Sequence, residues 1–107
     1  MNEENSQIDV QQTSTFKKAY KRLSNNHQDL VDDEIDNIID NPNVGTRKKG
    51  DLSHLWVHKF KMDGQLVLLG YSWNNDKLII TLMNIGSHEN FYNEASQRRV
   101  ADLKIIR

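Results

Sequence analysis

The spacing of apolar residues divides the chain into a helical first half and a strand-rich second half. Phe16, Ala19, Tyr20 and Leu23 fall at i, i+3, i+4 and i+7, the inner stripe of a helix. Thr13, Ser14 or Thr15 can cap it, and its other side carries Lys17, Lys18, Lys21 and Arg22. Asn25 and Asn26 then break the chain. Asn26 followed by Asp29 reads as the start of a second helix, with Leu30, Val31, Ile35, Ile38 and Ile39 inward and Asn41-Pro42 as its end. Two short helices on a tight turn predict an antiparallel hairpin. Ahead of them, Ile8 and Val10 at period two make Gln7 to Thr13 a candidate short edge strand, and residues 1–6 read as a disordered tail.

After Pro42 the period changes. Val44 to Asp51 is a Gly-bounded basic loop leading into Leu52 to Lys61, rich in Trp, Val and Phe. Met62-Asp63-Gly64 carries a hairpin signal. Gln65 to Trp73 is an almost wholly apolar run, as expected of a central strand under a helical layer. Asn74-Asn75-Asp76 turns the chain into a third strand, Lys77 to Gly86, and from Ser87 the pattern is helical again through Phe91, Tyr92, Ala95, Val100 and Leu103. The expected fold is α+β. A single domain over residues 7–107 packs its helix hairpin on a twisted antiparallel sheet, a three-stranded meander plus the N-terminal edge strand, with a C-terminal helix.

Composition narrows the class. The chain has 107 residues, enough for one domain with one two-layer core. It has no cysteine, which excludes a disulfide scaffold and any Cys-containing zinc finger or ribbon. Its polar, acidic start resembles neither a secretory signal nor a transit peptide. No apolar run approaches the ~20 residues of a membrane helix, so no membrane association and a cytoplasmic location are expected. The net charge of -1 hides a segregation. Two stretches without Lys or Arg, one in the first twelve residues and one from Gln28 to Pro42, hold nine of the 15 acidic residues. The rest sets 14 basic against 6 acidic residues, a net +8 that suits a polyanionic partner.

Several residues have chemical potential. His88 sits where the last strand hands over to the final helix, beside a turn-permitting Gly86 and a cap candidate, Ser87. An imidazole there can move protons in either direction near neutrality. On 52–61, alternation sends His54, Trp56, His58 and Phe60 one way and Leu55, Val57, Lys59 and Lys61 the other, and either set can meet the helices. His54 and His58 lie ~13 Å apart along a strand, too far for one metal ion. Arg47, Lys48 and Lys49 form the densest basic cluster, able to hold RNA phosphates or a phosphorane, with Lys17, Lys18, Lys21 and Arg22 as a second phosphate-contacting face. Gly-x-Ser-x-Gly, Gly-x-Gly-x-x-Gly and P-loop patterns do not occur. A metal-free ribonuclease stays chemically open, because the 2′-OH of RNA is its own nucleophile and histidine and lysine supply the rest.

Four segments carry a family resemblance: Phe16-Lys17-Lys18-Ala19-Tyr20, Lys48-Lys49-Gly50-Asp51-Leu52, Val57-His58-Lys59-Phe60-Lys61 and Gly86-Ser87-His88-Glu89-Asn90-Phe91-Tyr92. Over about residues 8–99 the chain resembles the RelE/ParE superfamily of bacterial toxins from type II toxin-antitoxin modules. The resemblance implies a toxin needing no cofactor or metal, held in a hetero-oligomer with a cognate antitoxin, and acting as an endoribonuclease on mRNA in the ribosome; the alternatives are an inhibitor of DNA gyrase that cuts no RNA and a degenerate toxin that retains only antitoxin binding. It further implies proton transfer by His58 and His88, neutralisation of phosphate by Lys49, Lys59 and Lys61, and base positioning by Phe91 and Tyr92. Arg47, Lys48, Lys18 and Arg22 would bind RNA. The sequence departs from the best-studied RNA-cleaving members where Trp56 or His58 holds a strand position often given to arginine, and in its lack of a strongly basic balance.

Overall fold

The computed structural model describes residues 7–106 and contains one five-stranded mixed sheet between two helical layers. The expected tail at residues 1–6 lies outside the described residues. The elements are β1 (Asp9–Gln12), α1 (Ser14–Lys21), α2 (Asn25–Asp40), β2 (Thr46–Arg47), β3 (Trp56–Met62), β4 (Gln65–Asn74), β5 (Ile79–Ser87), α3 (His88–Gln97) and α4 (Arg99–Ile106), with a 3-10 turn at Gly50–Leu52. The sheet order is β1-β5-β4-β3-β2. The meander of β3, β4 and β5 is antiparallel as its turns require, whereas the edge strand β1 runs parallel to β5. Thr46 and Arg47 of the expected basic loop pair with Val57 and Trp56, adding a fifth strand.

Local chemistry sets the element ends. Thr13 caps α1 by accepting from the Phe16 N–H at 3.1 Å, and donates its own hydroxyl to the Met83 carbonyl at 2.8 Å, tying the helix start to β5. Helix α2 begins a residue earlier than Asn26, because Ser24 is the better acceptor and takes the His27 N–H at 3.2 Å. Asp63 and Gly64 both have positive φ, 53° and 78°, the backbone twist that two-residue hairpins favour.

The helix hairpin covers one face of the sheet. Phe16, Val31, Ile38, Leu69, Tyr71, Ile80, Leu82 and Ile85 form that core, while Leu30, expected inward, stays 41% exposed at the edge of its stripe. The other face packs Leu55, Val57, Leu68 and Met83 against Phe91 and Ala95 of α3. Each side chain fully buried here contributes about 1.5–3 kcal/mol. The face of β3 left open by the alternation is thereby decided: Trp56 and Phe60 pack under the helix hairpin, and Val57 lies under α3.

The C-terminal helix differs from expectation. Arg98, with φ -95° and ψ 3°, breaks it into α3 and α4. The break turns α4 so that Val100 is 61% exposed while Asp102 is 5% exposed. No helix among the described residues is long and apolar enough to cross a membrane.

Candidate functional site

The open part of the α3-side face lies toward the β3–β4 hairpin. Lys59 and Lys61 alternate with buried Val57 on this side and are both exposed. The register aligns Lys59 with Leu68 and Leu68 with Gly86, two strand spacings or about 10 Å across. The next row aligns Lys61 with Leu66, and one step beyond the Val67–Ser87 pair the chain leaves the sheet at His88. Ser87 is extended at the start of α3, but its side chain makes no capping hydrogen bond.

Around His88 three further side chains come together. The His88 ring meets Tyr92 edge-on, with centroids 5.9 Å apart. Lys48 reaches across with its Nζ 5.0 Å from the centre of the Tyr92 ring, within cation–π range. Beneath them Phe91 is fully buried and meets Tyr92 edge-to-face at 5.2 Å. An exposed imidazole, a half-exposed phenol and a cation therefore share one rim, on the sheet side that carries Lys59 and Lys61. Lys49 is exposed one residue beyond Lys48, before the 3-10 turn.

Other expected site residues lie elsewhere. Phe91 is a core residue with no ring surface for a base, since the backbone of β4 lies against it. His58 is on the opposite face of β3, its Nε2 2.7 Å from Glu34 Oε1 of α2 and its ring against Phe60. The sheet separates it from Lys59 and Lys61, because adjacent strand residues point to opposite sides. Lys18 on α1 and Arg22, its C-cap, are exposed in the helix hairpin on that same far side. Arg47 precedes Lys48 by one residue and donates its Nε to the Ser53 carbonyl at 3.0 Å. A second histidine pair, His27 with Asp63, joins the start of α2 to the β3–β4 turn.

Glu34 had a readable signal. It is one of six carboxylates on α2, yet it stands three residues after Val31 and four before Ile38, on the buried stripe. Asp102 had none, since its burial follows from the break at Arg98. Burial pushes its carboxyl above the usual aspartate range, against the pull of Arg98, whose Nε lies 3.8 Å away.

The chain matches the family of ParE-like toxins of type II bacterial toxin-antitoxin systems over residues 10–96. No curated protein matches the sequence. Among solved structures, a doubly substituted E. coli toxin RelE in the free state is similar, at 16% identity over 85% of this chain and 96% of that one, with a TM-score of 0.64. The intact E. coli RelBE toxin-antitoxin complex gives 12% identity, coverage of 75% and 95%, and a TM-score of 0.61. The archaeal RelE-RelB complex from Pyrococcus horikoshii gives 20%, coverage of 76% and 94%, and 0.51. At these identities the likeness establishes a shared fold, and the family match extends over most of the sheet, both core layers and the rim at His88. The chain belongs to the ParE-like toxins of type II toxin-antitoxin systems, within the RelE/ParE superfamily.

Proposed function

We propose that this toxin is an endoribonuclease that cuts mRNA in the translating ribosome, without a metal, and so arrests growth. The observation that carries the reading is the exposed His88 ring set against Tyr92 and Lys48 on the side of the sheet that bears Lys59 and Lys61. In the reaction, the 2′-oxygen attacks the neighbouring phosphorus as its proton passes to a base. The 5′-oxygen then leaves with a proton from an acid, giving a 2′,3′-cyclic phosphate and a 5′-OH end. His88 serves one of these transfers. With His58 across the sheet, the second falls to Tyr92 or a lysine of the same face. Lys48, Lys49, Lys59 and Lys61 neutralise the phosphate and its pentavalent transition state.

The partner that restrains it is a cognate antitoxin, as RelB is in the similar complexes. The lysine face fits an acidic antitoxin segment.

Expression of His88→Ala beside the parent protein tests the reading. Loss of growth arrest and of new mRNA 5′ ends, with an unchanged circular dichroism spectrum, is the expected result. Full toxicity of this variant removes His88 from the mechanism. The ParE-like family match favours one second reading, inhibition of DNA gyrase. Loss of supercoiling in vitro with intact mRNA would establish it.

A further inference from the structure

Strand β4 outruns its neighbour. It pairs with β3 only as far as Tyr71–Trp56, but with β5 on through Ser72, Trp73 and Asn74. Where β3 is missing, a cleft of about 580 Å³ opens at the end of the sheet, closed on one side by Ile105 and Ile106 of α4. Its size is that of a small-ligand site. It lies at the opposite end of β3 and β4 from the hairpin that bears Lys61.

We propose that this cleft binds a nucleotide of single-stranded RNA, separately from the lysine face. None of its lining residues is acidic, although the chain has 15 acidic residues. Arg47 and Lys77 both line it, and two cations without a carboxylate select an anion. Trp56 and Trp73, half-buried where they pack against the hairpin-side core, line it as well, and their uncovered parts form the apolar wall against which a base can rest. Gln11 adds an amide that can donate and accept at a base edge, and Asn74, whose Oδ1 already accepts from the Asp76 and Lys77 N–H groups, adds the donors of its amide nitrogen. His54 completes the wall. Burial, helped by Arg99, lowers its basicity, so the ring is a neutral hydrogen-bonding group near pH 7. Phosphate, ring and polar edge together describe a nucleotide. This goes beyond the proposed cleavage and does not depend on it.

The chain's two tryptophans both line the cleft, so intrinsic fluorescence reports its occupancy. The full-length protein is titrated with AMP and with a 2′-O-methyl RNA trinucleotide, which in-line attack cannot cut. A saturable fluorescence change with both ligands, tighter for the trinucleotide, is expected. Arg47→Ala and Lys77→Ala should each weaken it by about tenfold, the equivalent of one charge-assisted hydrogen bond. Lys77 sits in an exposed turn, which keeps that variant informative if Arg47→Ala disturbs the loop. The double variant Lys59→Ala/Lys61→Ala should leave AMP binding within twofold, whatever it does to mRNA cleavage. No saturable change with either ligand overturns the assignment, as does binding lost with Lys59 and Lys61 but kept without Lys77. AMP binding as tight as the trinucleotide overturns RNA as the source. A response to an acidic peptide alone gives the cleft to a protein segment.

Discussion

Phe91 occupies the space that a side chain on Gly70 would need: a Cβ there would lie 2.6 Å from the Phe91 ring and 3.0 Å from Leu55 Cδ1. The glycine lets α3 settle directly on β4, and Tyr92 is held edge-on above the buried ring. Gly70→Ala is expected to cost about 1–3 kcal/mol through overpacking. Because Phe91 must give way, Tyr92 should shift with it. Urea denaturation measures the first effect, and the ring-current shifts of Lys48 in proton NMR the second.

Proton transfer is expected to ignore one histidine. His58 faces Glu34 beneath the sheet, so His58→Asn should retain growth arrest while Lys61→Ala loses at least tenfold in mRNA cleavage. Both variants can be scored by mapping mRNA ends in cells, and loss of cleavage in His58→Asn with an intact fold would contradict the geometry.

Tyr71 fastens the chain that follows α2. Its hydroxyl donates to the Pro42 carbonyl at 2.6 Å and accepts from the Gly45 N–H at 3.0 Å. Removing that oxygen leaves two backbone groups unpaired, and Tyr71→Phe is expected to cost about 1–3 kcal/mol. A lowered urea midpoint at unchanged m-value is the corresponding measurement.

The two perturbed groups beside α4 give pH dependences of opposite parentage but readable sign. His54 has a lowered folded value, so the unfolded chain takes up its proton first. Stability should therefore fall as pH drops below about 6.5, and His54→Gln should flatten that slope. Asp102 has a raised folded value, so its contribution is favourable at low pH and declines as pH climbs through that value. Asp102→Asn removes the buried charge and should raise neutral-pH stability by about 1 kcal/mol, some 5 °C in Tm. Thermal melts from about pH 3.5 to 8 span both windows and test both.

The helix hairpin and the meander were legible because each rests on local pattern: the Phe16–Leu23 stripe, Asp63-Gly64, the Gln65–Trp73 run; the expected strand start at Leu52 was not, since Gly50–Leu52 forms a 3-10 turn and β3 begins only at Trp56. The facing of β3 was not, since Trp56 and Phe60 compete with Leu55 and Val57 on nearly equal terms and only the two cores decide. That is why His58 could be grouped with Lys59 in the sequence and stand apart from it in space. Two-residue β2 is too short to carry a period, and the reversal of α4 depends on the dihedral angles of Arg98. His88 and Tyr92 were legible as a pair because four residues separate them on one helix, whereas Lys48 joins them only through the tertiary fold.

The pairing of β1 with β5 also orders events during synthesis. The hydroxyl of Thr13 waits for a carbonyl 70 residues later, and the rim around Tyr92 follows only after that strand is complete. A nascent chain halted between Lys61 and Ile79 has the four rim lysines, Lys48, Lys49, Lys59 and Lys61, but neither the closing strand nor His88. The lysines and the imidazole of the rim therefore come together only once β5 and the first turns of α3 have both been made.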